Sequence, residues 1–304
     1  MSCFSFVSSL FGGGERINGQ SYSVVRRIGE GGFSYVDLVH RDGHSYALKR
    51  ILIQLPEQRE AAQNEIRAHT QVDHPNVVHL VDSEIRDVSQ RTSNCIGIAF
   101  LLFPYYQNGT LQDLMEYVHN VGVPLEERRI GQLFLSVCQG LKALHNCQGG
   151  PIAHRDIKPG NLLLSHTGKE LVVMDLGSTA PAQCVISNRR EALALQEHCA
   201  QTCTAHYRAP ELFEVPSNCT ITAKTDVWSL GCSLYAAAFG NSPCDGSALS
   251  AMSGRITFPR EHSYSEEFCE LVVCVLSVDP DSRPSVTEVE DRLTTLLQQV
   301  EEED

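Results

Sequence analysis

A change of apolar period partway along the chain constrains the fold most. From Gln20 to about Val81, runs such as "SYSVVRRIG", "SYVDLVH" and "HSYALKRIL" place apolar residues between turn residues as strands do, and "QREAAQNEIRAHTQV" then has a helical composition. After "LLFPYYQNGTL" the period becomes helical: Ile130, Leu133, Phe134, Val137, Leu141 and Leu144 recur at spacings of three and four and make one buried face. Near the end, "SVTEVEDRLTTLLQQVEEED" opens with Ser285 as an N-cap and Glu288 three residues later, the spacing of a capping box. This patterning predicts an α+β chain, with a small β-rich part followed by a larger helical one. At 304 residues, with no internal repeat and no long Pro- or Ser-rich linker, one large domain or two packed lobes are expected rather than several modules. The expected boundaries are a tail over 1–19, one domain over 20–298 with its lobes dividing near 103, and an acidic end over 299–304.

The net charge of −13 argues against a general binder of nucleic acid or anionic membrane, since such proteins need a positive field. Twelve cysteines in a chain this long, whose first arginine is Arg16, point to reduced thiols and an intracellular, cytoplasmic setting. The longest apolar runs, such as "CIGIAFLLF", fall short of the roughly 18 residues of a membrane span.

Several short stretches carry chemistry. "IGEGGFSYV" contains Gly29, Gly31 and Gly32 between two strands, with Ser34 where a third glycine of G-x-G-x-x-G would stand. By itself it reads more readily as a flexible hairpin than as a phosphate cradle, because Gly-rich hairpins are common. In the next strand, "YALKR" puts Lys49 among apolar neighbours, where an ammonium needs an anionic partner, and the following helix offers Glu65. "HRDIKPGN" supplies Asp156, Lys158 and Asn161, and "MDLG" supplies Asp175 after the apolar "LVVM". One carboxylate can take a hydroxyl proton, a lysine can neutralise a transferring phosphoryl group, and an amide with a second carboxylate can hold Mg²⁺.

As an ordered set, these motifs together with "RAPE", "DVWSLG" and "DPDSRP" resemble the eukaryotic protein kinases over about residues 22–298. The spellings "GEGGFSYVDLV", "YALKRIL", "MDLGS" and "YRAPELF" are most similar to the Numb-associated kinase family. The resemblance implies a bilobal kinase fold, protein substrates that include the chain itself, and a monomer. It implies ATP held at Ile28, Gly29, Gly31, Gly32, Phe33, Val36, Ala47, Lys49, Glu65, Phe103, Tyr105 and Tyr106, with Asn161 and Asp175 on Mg²⁺, or alternatively Mn²⁺. Asp156 is then the base and Lys158 steadies the phosphoryl group. Lys158 and Thr204 match the serine/threonine pattern, with tyrosine as a minor acceptor, and Arg283 is expected to pair with Glu211. A helical insertion is implied at "RREALALQEHCAQ", and Arg155 is a candidate partner for an activation-loop phosphate.

The resemblance also implies a short lipidated N-terminus and work in membrane trafficking at Golgi or endosomal membranes. Ser2 rules out myristoylation, which leaves Cys3 as a palmitoylation candidate beside Phe4, Phe6, Val7, Leu10 and Phe11, with a disordered tail as the alternative. Three other readings stand beside the main one: zinc at His198, Cys199, Cys203 and His206, a catalytically silent scaffold, and a small-molecule phosphotransferase. The intact lysine and aspartates weigh against the scaffold, and "APE" with "DVWSLG" against the last.

Overall fold

The computed structural model describes residues 14–32, 34–88 and 95–303, with side chains as far as Gln299. The chain forms two units, the first running to Asp73 and resuming over Val78–Tyr105, the second holding His74–Val77 and everything from Tyr106 onward. The expected mixed α+β architecture, with a strand-rich N-terminal part and a helical C-terminal part, is present.

In the first unit β1 (Glu15–Ile17), β2 (Gln20–Glu30), β3 (Ser34–Arg41), β4 (His44–Ile53), β5 (Asp82–Asp87) and β6 (Gly97–Pro104) make one antiparallel sheet in the order β1-β2-β3-β4-β6-β5. β4 shows the period-2 burial that builds such a sheet: Leu48, Arg50 and Leu52 are buried, whereas Ala47, Lys49 and Ile51 are half-buried. Leu48 and Leu52 join Tyr22, Val39, Phe100 and Leu102 in one core cluster. On the other side α1 (Pro56–Gln71) supplies Ala62 to a cluster with Ile53, Ala99 and Leu101. The helix starts at Pro56, where a missing N–H costs nothing, and Gln58 accepts from the backbone N–H groups of Gln54 and Leu55.

The tail expected over residues 1–19 is shorter than that, because Glu15–Ile17 pair with β2 as a sixth strand. Buried Glu15 lies 3.2 Å from Arg86 and 3.4 Å from Arg50, which also pairs with Asp37. These partners are far away in the sequence, so three residues with no alternation of their own gave no strand signal. Cys3 and the apolar residues around it lie outside the described residues, as does Phe33.

The second unit contains α2 (Leu111–Val121), α3 (Glu127–His145), β7 (Ile152–Ala153), β8 (Leu162–Leu164), β9 (Leu171–Val173), β10 (Ala180–Pro181), β11 (Gln183–Ile186), α4 (Arg189–Thr202) and β12 (Cys219–Thr222). It ends with α5 (Lys224–Phe239), α6 (Ala248–Ser253), α7 (Glu266–Val275) and α8 (Val286–Glu303). α3 buries the six apolar residues that its spacing predicts, and α8 opens at Ser285, whose N–H and hydroxyl both donate to Glu288 at 2.7 Å. α5 is apolar nearly all round and buried accordingly. It lies so close to α7 that a Cβ on Gly231 would come within 2.6 Å of Val275. Fully buried Arg283 grips Glu211 with two hydrogen bonds, of 2.8 and 3.1 Å, and lies over the Trp228 ring.

Candidate active site

In the first unit, the turn joining β2 and β3 carries the glycine-rich loop. Gly31 donates its N–H to the Ser34 carbonyl at 2.7 Å, and a Cβ on Gly31 would stand 3.1 Å from Ser34 Oγ, so the serine leaves no slack there. Ile28 falls at a register shift, and Gly29 then pairs with Val36. Directly opposed residues of neighbouring strands share a face, so Val36 opposite Lys49 and Phe103 opposite Ala47 set these four side chains on one side of the sheet. Lys49 Nζ donates to Glu65 Oε1 at 2.7 Å, and Glu65 is itself buried on α1. Phe103 packs against the His69 ring at 5.0 Å, and the Tyr105 N–H reaches the Ser45 carbonyl at 3.4 Å.

In the second unit, half-buried Tyr106 stacks on His166 at 5.3 Å, and burial raises its phenol pKa. Between β7 and β8 the chain makes the polar loop of "HRDIKPGN". Lys158 Nζ bridges Asp156 Oδ2 and the Thr204 hydroxyl, both at 2.7 Å. The Thr204 N–H donates to the other Asp156 oxygen at 2.8 Å. Asn161 gives its amide hydrogens to Asp156 O and Oδ2, at 2.8 and 3.0 Å, and so keeps its carbonyl oxygen as an acceptor. That Asn161 backbone also ties to Met174, whose N–H donates to its carbonyl at 3.0 Å, one residue before Asp175. Asp175 has φ +63°, a left-handed conformation that aspartate tolerates better than most residues. An amide oxygen and a carboxylate are hard oxygen donors, which fit Mg²⁺ or Mn²⁺.

The support of this loop was not singled out from sequence. Asp226, fully buried on α5, accepts from the backbone N–H groups of His154 and Arg155, at 2.7 and 2.8 Å, and from His145 Nε2 at 2.8 Å. Burial raises its pKa, but the bonds and charges of His145, His154 and the Arg155 N–H outweigh that and lower it overall. The bond from Arg155 holds that residue at φ +71°, a turn that aims Asp156. His154 Nδ1 accepts from the Asp156 N–H, so its Nε2–H donates to the Met174 carbonyl at 2.9 Å and links the loop to the segment before Asp175. A carboxylate inside the otherwise apolar run "DVWSLG" was the available signal.

The helix expected at "RREALALQEHCAQ" is α4. At its end Cys199 and Cys203 are buried. Among the described residues no group of three or more His, Cys, Asp or Glu is placed to hold a metal ion, and no helix is long and apolar enough to cross a membrane.

A two-unit α+β chain with a glycine-rich loop and a lysine–glutamate pair in one unit, and an Asp–Lys–Asn loop tied to Asp226 of α5 in the other, has the make-up of a phosphoryl-transfer protein. Residues 22–293 match the protein kinase domain, and the chain belongs to that family. Protein kinase domains use ATP with a divalent metal and act on proteins. Serine/threonine-protein kinase 16 of Rattus norvegicus and that of Homo sapiens are each 42% identical over 278 residues, covering 89% of this chain and 88% of theirs. A probable serine/threonine-protein kinase of Dictyostelium discoideum is 34% identical over 357 residues, covering 93% and 95%.

Proposed function

We propose that this serine/threonine protein kinase works through the Asp156 cluster. The observation that carries the reading is the three-way contact of Asp156, Lys158 and Thr204, which leaves a carboxylate and an ammonium held side by side. Asp156 orients the acceptor hydroxyl and takes its proton, while Lys158 neutralises charge on the group in transit. Lys49, steadied by Glu65, meets the α- and β-phosphates of ATP, and the loop at Gly29, Gly31 and Gly32 lets the backbone approach them. Asn161 and Asp175 would hold Mg²⁺, whose charge would offset that of the phosphates. Because the transition state is loose, positioning and charge stabilisation supply most of the rate.

The test is transfer of labelled γ-phosphate from Mg·ATP to a generic basic protein. Asp156→Asn should lower the rate by about 100-fold or more while leaving thermal unfolding in place, and acid hydrolysis should return phosphoserine or phosphothreonine. Unchanged transfer by this variant would overturn the assignment.

For the cellular setting, the reading is membrane trafficking at Golgi or endosomal membranes, with Cys3 palmitoylated. Its support is the family resemblance and the apolar residues beside Cys3. One acyl chain binds a membrane only marginally, so attachment is reversible. Cell fractionation should show the wild type partly on membranes and Cys3→Ser released; equal distributions would remove the anchor.

A further inference from the structure

Buried charges lie on the face of the first unit's sheet opposite Lys49. Alternation along β4 turns Arg50 away from the Lys49 side, and the register sets Arg50 opposite Tyr35 and Leu48 opposite Asp37, so Tyr35, Asp37 and Arg50 share that face. Asp37 and Arg50 are 4% and 3% exposed and pair with each other. Glu15 of β1, also buried, reaches Arg50 Nε at 3.4 Å through one oxygen, and its other oxygen accepts from Arg86 of β5 at 3.2 Å. β1 and β5 stand at the two ends of the strand order, so this one carboxylate joins both edges of the sheet to its middle.

From Asp37 the charges continue toward the glycine-rich loop. Asp37 Oδ1 accepts from Arg27 Nε of β2 at 3.2 Å, the Arg27 guanidinium lies 4.1 Å from the centre of the Tyr35 ring, and its Nη1 is 3.9 Å from Glu30. Backbone pairing of β2 with β3 is irregular just here, with register shifts between Val24 and Arg26 and between Arg27 and Gly29, so side chains supply order that the ladder lacks. Ion pairs this deep carry a desolvation cost that well-packed apolar side chains would avoid, so stability alone does not account for them; fixing one register is the use they suit.

We propose that Glu15, Arg50 and Asp37 are positioning residues for the nucleotide, an ion relay that holds the sheet from behind and so sets Val36, Lys49 and the glycine-rich loop in front. The inference rests on the reading of Lys49 and that loop as the ATP contacts. Neighbouring side chains on a strand point to opposite faces, so gripping Arg50 fixes where Lys49 points, and gripping Asp37 does the same for Val36. Without the grip the loop samples more positions, only some of which accept phosphates, and affinity falls by the competent fraction. The Asp156 cluster takes no part in these pairs, so turnover at saturating ATP should hold while KM rises.

Mg²⁺ with adenylyl imidodiphosphate, which cannot pass on its terminal phosphoryl group, is titrated calorimetrically into the full chain, and deuterium uptake over residues 24–39 is followed without nucleotide. Glu15→Gln should raise the dissociation constant about threefold or more and speed uptake in that segment. Glu84→Gln, which weakens a pair of Arg86 but leaves Glu15 and Arg50 in place, should bind as the wild type does, and equal losses in the two variants overturn the proposal. Glu15→Gln combined with Arg27→Gln should lose less affinity than the two losses added, as members of one network do, whereas strict additivity overturns the relay. Should Glu15→Gln fail to fold, the triple variant Glu15→Leu, Asp37→Leu, Arg50→Met replaces the ions by apolar packing and should fold yet bind more weakly; wild-type affinity there overturns the proposal. A wild type that takes up no nucleotide sinks the ATP reading instead. The exchange arm needs no ATP, and unchanged uptake in Glu15→Gln overturns the relay by itself.

Discussion

Thr204 makes two separable contacts with Asp156 and Lys158, the proposed catalytic pair. Its backbone N–H serves Asp156 and survives any substitution except proline, whereas its side-chain hydroxyl accepts from Lys158. Thr204→Ala should therefore slow transfer about tenfold, the worth of one hydrogen bond to a charged group, and Thr204→Ser should restore most of the rate. Steady-state kinetics at saturating ATP separates the two; equal rates for the alanine variant and wild type would show that Lys158 is held by Asp156 alone.

At the scale of elements, α5 acts as the anvil for the Asp156 loop through Asp226. An asparagine there keeps one acceptor oxygen but turns a donor toward groups that themselves donate, so Asp226→Asn should cost about 1–3 kcal/mol. The pH dependence follows from its lowered pKa. A carboxyl whose folded pKa is depressed stabilises fully above its unfolded value near 4 and loses that contribution as pH falls through the folded value. Wild type and variant should thus differ most near neutrality and converge in acid. Denaturant unfolding from pH 7 downward checks this, and a constant gap would assign the stabilisation to packing. The same variant frees the Arg155 backbone, so its loss of transfer should exceed its loss of stability.

For the whole molecule, buried phenols contribute to the alkaline limit of stability. Burial pushes Tyr207 and Tyr264 up to about 12, and Tyr264 donates to the Leu125 and Ala238 carbonyls, both at 2.9 Å. Below about 10 both folded and unfolded phenols are neutral and the stabilisation is complete; above it the unfolded chain ionises first and stability falls as pH rises toward 12. Tyr264→Phe should start less stable and fall less steeply above pH 10; parallel curves would exclude Tyr264 from the alkaline limb. The sequence by itself determined the change of period and the helices α3 and α8, and it offered Lys49, Asp156, Lys158, Asn161 and Asp175 as candidates for the site. Periodicity and short motif spacings are local, and phosphoryl transfer asks for those residue types in that order. Only the tertiary structure decided that Glu15 begins a strand and that Asp226 holds the backbone of a residue 71 positions earlier. Each depends on which distant segments return to the same place, and burial makes those partners obligatory without leaving a local pattern.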